Sequence, residues 1–91
     1  MAKWTFLTHH AHVLVAVSQG SDLTIDQISA QVGITARATA GILNDLIDAG
    51  YVVKEKIGRR NHYIVNGDIP LRHPQNENAK AAELLGLFIR G

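Results

Sequence analysis

The chain has no cysteine in its 91 residues, which excludes a disulfide scaffold, a cysteine-ligated zinc finger and a thiol nucleophile. That absence is compatible with a reducing cytoplasm, the compartment we expect. Charge is also scarce: 19% of residues are Asp, Glu, Lys or Arg, and the net charge is +1. Strong nucleic-acid binders often carry more, so any such affinity must come from where the charges sit. There is no phosphate-binding glycine loop, no suitably spaced pair of carboxylates and no nucleophile motif, so neither an enzymatic activity nor a cofactor is expected. From Trp4 to Ser21 the chain has no Asp, Glu, Lys or Arg at all. The continuous apolar part of that run, Val13 to Val17, is far shorter than the roughly 20 residues of a spanning helix. It is also shorter than the apolar stretch of a signal peptide. The run reads as a buried helix, and no membrane partner is expected.

What is present is a globular composition, 46% hydrophobic, in a chain long enough for one small domain over 1–91. A first helix is predicted to start after Thr8, which can cap it, and to end near Ser18-Gln19-Gly20. Leu7, Ala11, Leu14, Val15 and Ser18 fall at helical spacing, and Val13 and Val17 widen the apolar surface. Trp4 and Phe6 precede the helix and are placed to staple it to a neighbour.

The stretch from Thr24 to Gly50 organises the rest. Gly20-Ser21-Asp22 is a turn, and Leu23 is a candidate for a short strand bridge. Thr24 and Gln27 fit a capping box, in which each side chain satisfies the other residue's free amide. The helix that follows should run to about Val32, with Ile25, Ile28 and Val32 inward. Gly33 stands where a left-handed backbone must turn the chain sharply, Ile34 anchors the turn, and Thr35 caps the next helix. That helix is predicted from about Ala36 to Ala49, with Ala38, Thr39, Ile42, Leu43, Leu46 and Ile47 inward and Gly50 as its C-terminal glycine.

Tyr51 to Lys56 alternates as a strand, with Val52 and Lys54 on one side and Tyr51, Val53 and Glu55 on the other. Ile57 to Asn61 contains Gly58 and reads as a turn. His62 to Val65 forms a second strand, with Tyr63 and Val65 on one face. Asn66 to Pro70 breaks the pattern and Pro74 stops it again. A last helix is predicted from about 76 to 89, with Ala81, Leu84, Leu85 and Phe88 as its apolar stripe and Leu87 and Ile89 extending it. The fold class is therefore mainly α with a small β-hairpin. The order of three helices, hairpin and helix is that of a winged helix-turn-helix: a three-helix core, a wing over about 51–66 and an extra C-terminal helix.

In the segments WTFLTHHAHVLVAV, QISAQVGITARATAGILNDLIDAGYV, GRRNHYIVN and DIPLRHP the chain resembles bacterial winged helix-turn-helix transcriptional regulators of the MarR-like type. These segments cover most of it. The resemblance implies a regulator that binds double-stranded DNA through the second helix of the helix-turn-helix and through the wing.

In the major groove, Arg37 is suited to guanine and Asn44 to adenine. Thr35 and the helix N-terminus are suited to a phosphate. The small outward residues Ala36, Ala40 and Gly41 permit close approach. This helix is nonetheless poor in positive charge: Arg37 stands against Asp45 and Asp48, a local charge of −1. The hairpin carries the cations. Lys54, Lys56, Arg59 and Arg60 stand against Glu55 alone, a local excess of three, and His62 closes the group. Arg59 and Arg60 at the tip suit a minor groove or flanking phosphates.

Surplus apolar surface predicts a homodimer, with Trp4, Phe6, Val13, Val17, Leu84, Leu85, Leu87 and Phe88 as candidates for its interface. A gap between the first and last helices is a candidate place for a small-molecule effector. His9 and His12 are spaced as an i, i+3 pair, but no cysteine or nearby carboxylate completes a ligand set, and packing is the expected role of these histidines and of His10. The main rival to a DNA-binding regulator is a winged helix used as a protein-interaction or assembly module, which the small net charge and bare third helix favour.

Overall fold

A computed structural model describes residues 5–20 and 22–88. Trp4 and Ile89, expected at the dimer face and in the last helix, lie outside the described residues. Among those described, the elements are α1 (His9–Gln19), α2 (Ile25–Val32), α3 (Ala36–Asp48), β1 (Val52–Ile57), β2 (Arg60–Val65) and α4 (Ala81–Gly86). The fold is mainly helical, with one antiparallel hairpin.

Local hydrogen bonds set the helix ends. Thr8 Oγ1 accepts from the Ala11 amide at 3.2 Å and begins α1. At α2 the capping box is complete: the Gln27 amide donates to Thr24 Oγ1 at 3.1 Å, and the Thr24 amide to Gln27 Oε1 at 2.9 Å. Gly33 stops α2 in the left-handed region, φ +84°, with its N–H on the Ser29 carbonyl at 2.8 Å. Two residues on, Thr35 Oγ1 accepts from the Ala38 amide at 3.0 Å and starts α3. Gly50, φ +90°, ends α3: its N–H donates to the Ile47 carbonyl at 3.0 Å, and the Tyr51 N–H to that of Leu46 at 2.9 Å. This 5→2, 6→1 pair satisfies carbonyls that the helix leaves free.

The core lies where the helices meet the hairpin root. Val13, Leu14, Ala16 and Val17 of α1 pack with Ile28 of α2 and with Ile42, Leu43 and Leu46 of α3. Tyr51, Val52 and Tyr63 close it from the hairpin, and Ala81 and Leu85 from α4. Val13 and Ile28 are completely buried, each contributing roughly 1.5–3 kcal/mol of hydrophobic stabilisation. Thr39 is equally buried, and its hydroxyl donates to the Thr35 carbonyl at 2.9 Å, so the core holds no orphaned polar group there.

The apolar surface of α1 lies differently from the expected stripe. Leu14 is buried as expected, but Val13, Ala16 and Val17 are buried as deeply, while Ala11, Val15 and Ser18 are only half-buried. The cause is topological. This helix packs against α2, α3, β2 and α4, so it needs apolar side chains on several sides. Val13 and Val17 are thereby used within the chain and have no area to offer a partner. Ala38 departs in the opposite sense: expected inward, it is exposed.

The hairpin is longer and tighter than expected. Its register runs from Val52↔Val65 to Ile57↔Arg60, leaving only Gly58 and Arg59 in the loop. Gly58 has φ +64°, and no non-glycine residue described has positive φ, the sign pattern of a type II′ turn. Leu23 forms no strand bridge; the isolated bridge instead joins Pro70 and Lys80.

That bridge explains the largest shift from expectation. The Leu71 N–H donates to the Ala79 carbonyl and the Ala81 N–H to that of Ile69, both at 2.9 Å. Residues 69–71 thus pair antiparallel with 79–81, and the chain between them forms turns. Backbone groups expected to extend the last helix from about 76 are taken up by this pairing, so α4 starts only at Ala81. The Lys80 N–H is held by Glu83 Oε1 at 3.2 Å.

Candidate nucleic-acid interface

The outer surface of α3 follows from its inner one. With Thr39, Ile42, Leu43 and Leu46 committed to the core, Thr35, Ala36, Arg37, Ala38, Gly41 and Asn44 are exposed, and Ala40 is half-buried. Ala38 is an addition to the residues expected on this surface. An alanine at the edge of a helical stripe carries no polarity that could have placed it outside. The resulting face has two long polar side chains, Arg37 and Asn44, over a bed of small residues.

Gly41 is informative. A Cβ added there would meet nothing within 4 Å, and its φ is not in the left-handed region. Neither packing nor backbone geometry within the chain requires glycine, yet glycine inside a helix costs about 0.5–1 kcal/mol relative to alanine. The first turn of α3 contains no acidic residue. Thr35 caps the Ala38 amide, leaving the Ala36 and Arg37 amides at the positive end of the helix dipole as donors for an anion.

The hairpin supplies positive charge on more than one side. Residues directly across an antiparallel ladder share a face, so Lys54 (across from Tyr63) and Lys56 (across from Asn61) lie on the Val52 face. Arg60, across from Ile57, is on the opposite face, and Arg59 sits in the loop. All four side chains are exposed, and none forms an ion pair among the described residues. His62 is half-buried and stands across from Glu55, on the opposite face from the two lysines. The same face carries Val53, Ile57 and Ile64, 53%, 55% and 42% exposed. This apolar patch was not anticipated, although the strand alternation places all three on one side.

A side-chain link lies elsewhere: His10 Nε2 is in hydrogen-bond contact with Asp45 Oδ2 at 2.8 Å, joining the first turn of α1 to the C-terminal half of α3. No three His, Cys, Asp or Glu side chains among the described residues are grouped to hold a metal. No described helix is long and apolar enough to cross a membrane.

The residues expected at a dimer face divide. Val13, Val17 and Leu85 are buried in the chain's own core, and Leu84 is half-buried. Leu87, Phe88 and Phe6 are exposed, at 77%, 40% and 92%. Compared with known proteins, the chain matches no family model and no curated relative.

Proposed function

We propose that this protein is a DNA-binding transcriptional regulator of the winged helix-turn-helix kind, similar to MarR-like regulators. In this reading α3 enters the major groove of double-stranded DNA and the hairpin is the wing, gripping flanking phosphates or the minor groove. The observation that carries the reading is the set of four hairpin cations, Lys54, Lys56, Arg59 and Arg60, all exposed and without an ion-pair partner among the described residues. Basic side chains left unneutralised on a protruding ribbon suit a polyanion. The small-residue face of α3 and the cost of Gly41 support it, because both favour close approach by a partner outside the chain. The protein acts by occupying its site in the cytoplasm and catalyses no reaction. It works as a homodimer joined through Leu87 and Phe88; helix-turn-helix dimers read two half-sites about one DNA turn apart.

The test is fluorescence anisotropy of a mixed-sequence duplex titrated with the protein at about 50 and about 200 mM salt. Binding that weakens steeply with salt is expected. No binding at the lower salt would overturn the reading. The patch of Val53, Ile57 and Ile64 favours the second reading, a protein-interaction or assembly module, since exposed apolar side chains on a ribbon contribute little to phosphate contact.

A further inference from the structure

The C-terminal half of α3 borders a cleft of about 630 Å³, within the roughly 300–1,000 Å³ of small-molecule sites. Its floor is apolar, formed by Leu14 of α1, Leu46 of α3, Tyr51, and Leu84 of α4. The rim is charged. Asp45 and Asp48, one helical turn apart on α3, face His10 of α1 and Arg72 of the segment after β2.

The two carboxylates are not equivalent. Asp45 is engaged by His10 at 2.8 Å, while Asp48 is exposed and has no hydrogen bond or ion pair among the described residues. Both stand at the negative end of the α3 dipole, where the last turn has no basic residue to offset it. Against them stands one guanidinium, that of Arg72. The rim therefore favours a cation at Asp48, beside a floor that favours a hydrocarbon body.

We propose that this cleft binds a small amphipathic cation: a compact aromatic or aliphatic body seated on Leu14, Leu46, Tyr51 and Leu84, with a protonated amine directed to Asp48. The occupant touches the C-terminal half of α3, where Asp45 and Asp48 continue the exposed stripe that begins at Gly41. Any effect on DNA binding rests on the regulator reading above, whereas the site itself does not.

The probe is 2-phenylethylamine, with 3-phenylpropionate as the counterpart of opposite charge, each titrated into the whole chain and followed by backbone amide NMR shifts. Saturable shifts confined to the α1, α3 and α4 residues around the cleft are expected for the amine, with binding of the acid weaker by about tenfold or more. Asp48→Asn, at an exposed position that the fold does not use, should weaken the amine by a similar factor and leave the spectrum otherwise native. Arg72→Ala should leave amine binding as tight or tighter. Absence of saturable shifts, equal binding of the acid, or undiminished binding by Asp48→Asn would each overturn the proposal. Repeating the amine titration with duplex present tests the coupling. A protein that binds the amine but no duplex sinks the regulator reading and leaves the site intact.

Discussion

The Ala82 N–H donates to the Gly67 carbonyl at 2.9 Å. A Cβ on Gly67 would lie 2.7 Å from the Ala82 Cβ and 3.2 Å from its Cα. The segment after β2 and the start of α4 are thus in backbone contact, with no room for a side chain between them. Gly67 is not in the left-handed region, so space and not conformation demands glycine there. Gly67→Ala must push α4 away from the hairpin, and overpacking of this kind costs roughly 1–3 kcal/mol. A lower urea midpoint with an unchanged m-value is the expected result.

Gly33 and Gly41 form an internal control, because a Cβ at either would meet nothing within 4 Å. Gly33 has φ +84° and turns the chain between α2 and α3, whereas Gly41 lies within α3. Gly33→Ala should therefore destabilise by about 1–2 kcal/mol through backbone strain alone. Gly41→Ala should stabilise by about 0.5–1 kcal/mol. Thermal melts of the two variants should move in opposite directions. If α3 enters the major groove, the stabilised Gly41→Ala protein should also bind duplex more weakly. Undiminished affinity would remove Gly41 from the contact surface.

The His10–Asp45 pair spans 35 positions in sequence, yet it contributes little to stability. The two side chains are 50% and 64% exposed, and exposed pairs are worth about 0–1 kcal/mol. His10→Ala should shift the urea midpoint by the equivalent of less than about 0.5 kcal/mol. A larger loss would mean that the pair fixes the angle between α1 and α3.

With Val13, Val17 and Leu85 used inside the chain, self-association falls to the exposed residues just past α4. Leu87 is 77% exposed and the adjacent Phe88 40%. Sedimentation equilibrium should give a dimer for the native chain, and Leu87→Glu should give a folded monomer by introducing a charge at the contact. A monomeric native chain would sink the dimer reading.

The parts of this fold legible in the sequence are those encoded within four or five residues. Thr8, Thr24, Thr35, Gly33 and Gly50 each act on amides or carbonyls of their own turn, so the helix ends could be placed without knowing the tertiary structure. What escaped was set at a distance. The start of α4 depends on the pairing of Pro70 with Lys80. Burial along α1 depends on the elements packed around it, which no periodicity within eleven residues reveals. For the candidate interface, the charge excess of the hairpin was visible, but its division between two faces required the register. Lys54 and Arg60 cannot be assigned to sides until the loop is known to contain only Gly58 and Arg59.

That division makes the hairpin's DNA contact separable by mutation. Each duplex phosphate that a variant no longer neutralises should flatten the dependence of log affinity on log salt by about 0.9. A wing that inserts its tip would use Arg59 and Arg60, so the double change Arg59→Ala/Arg60→Ala should flatten the slope by up to about 1.8. Lys54→Ala/Lys56→Ala would then have the smaller effect. If instead the outer part of the Val52 face, beyond the buried Val52 and Tyr63, meets the duplex backbone, the order reverses: the lysine pair flattens the slope and Arg60 contributes little. All four side chains are exposed, so each variant should keep its stability within about 0.5 kcal/mol of the native chain. Changes in slope would then report phosphate neutralisation and not unfolding. Equal slopes for the native protein and both double variants would show that the hairpin charge does not meet phosphate at all.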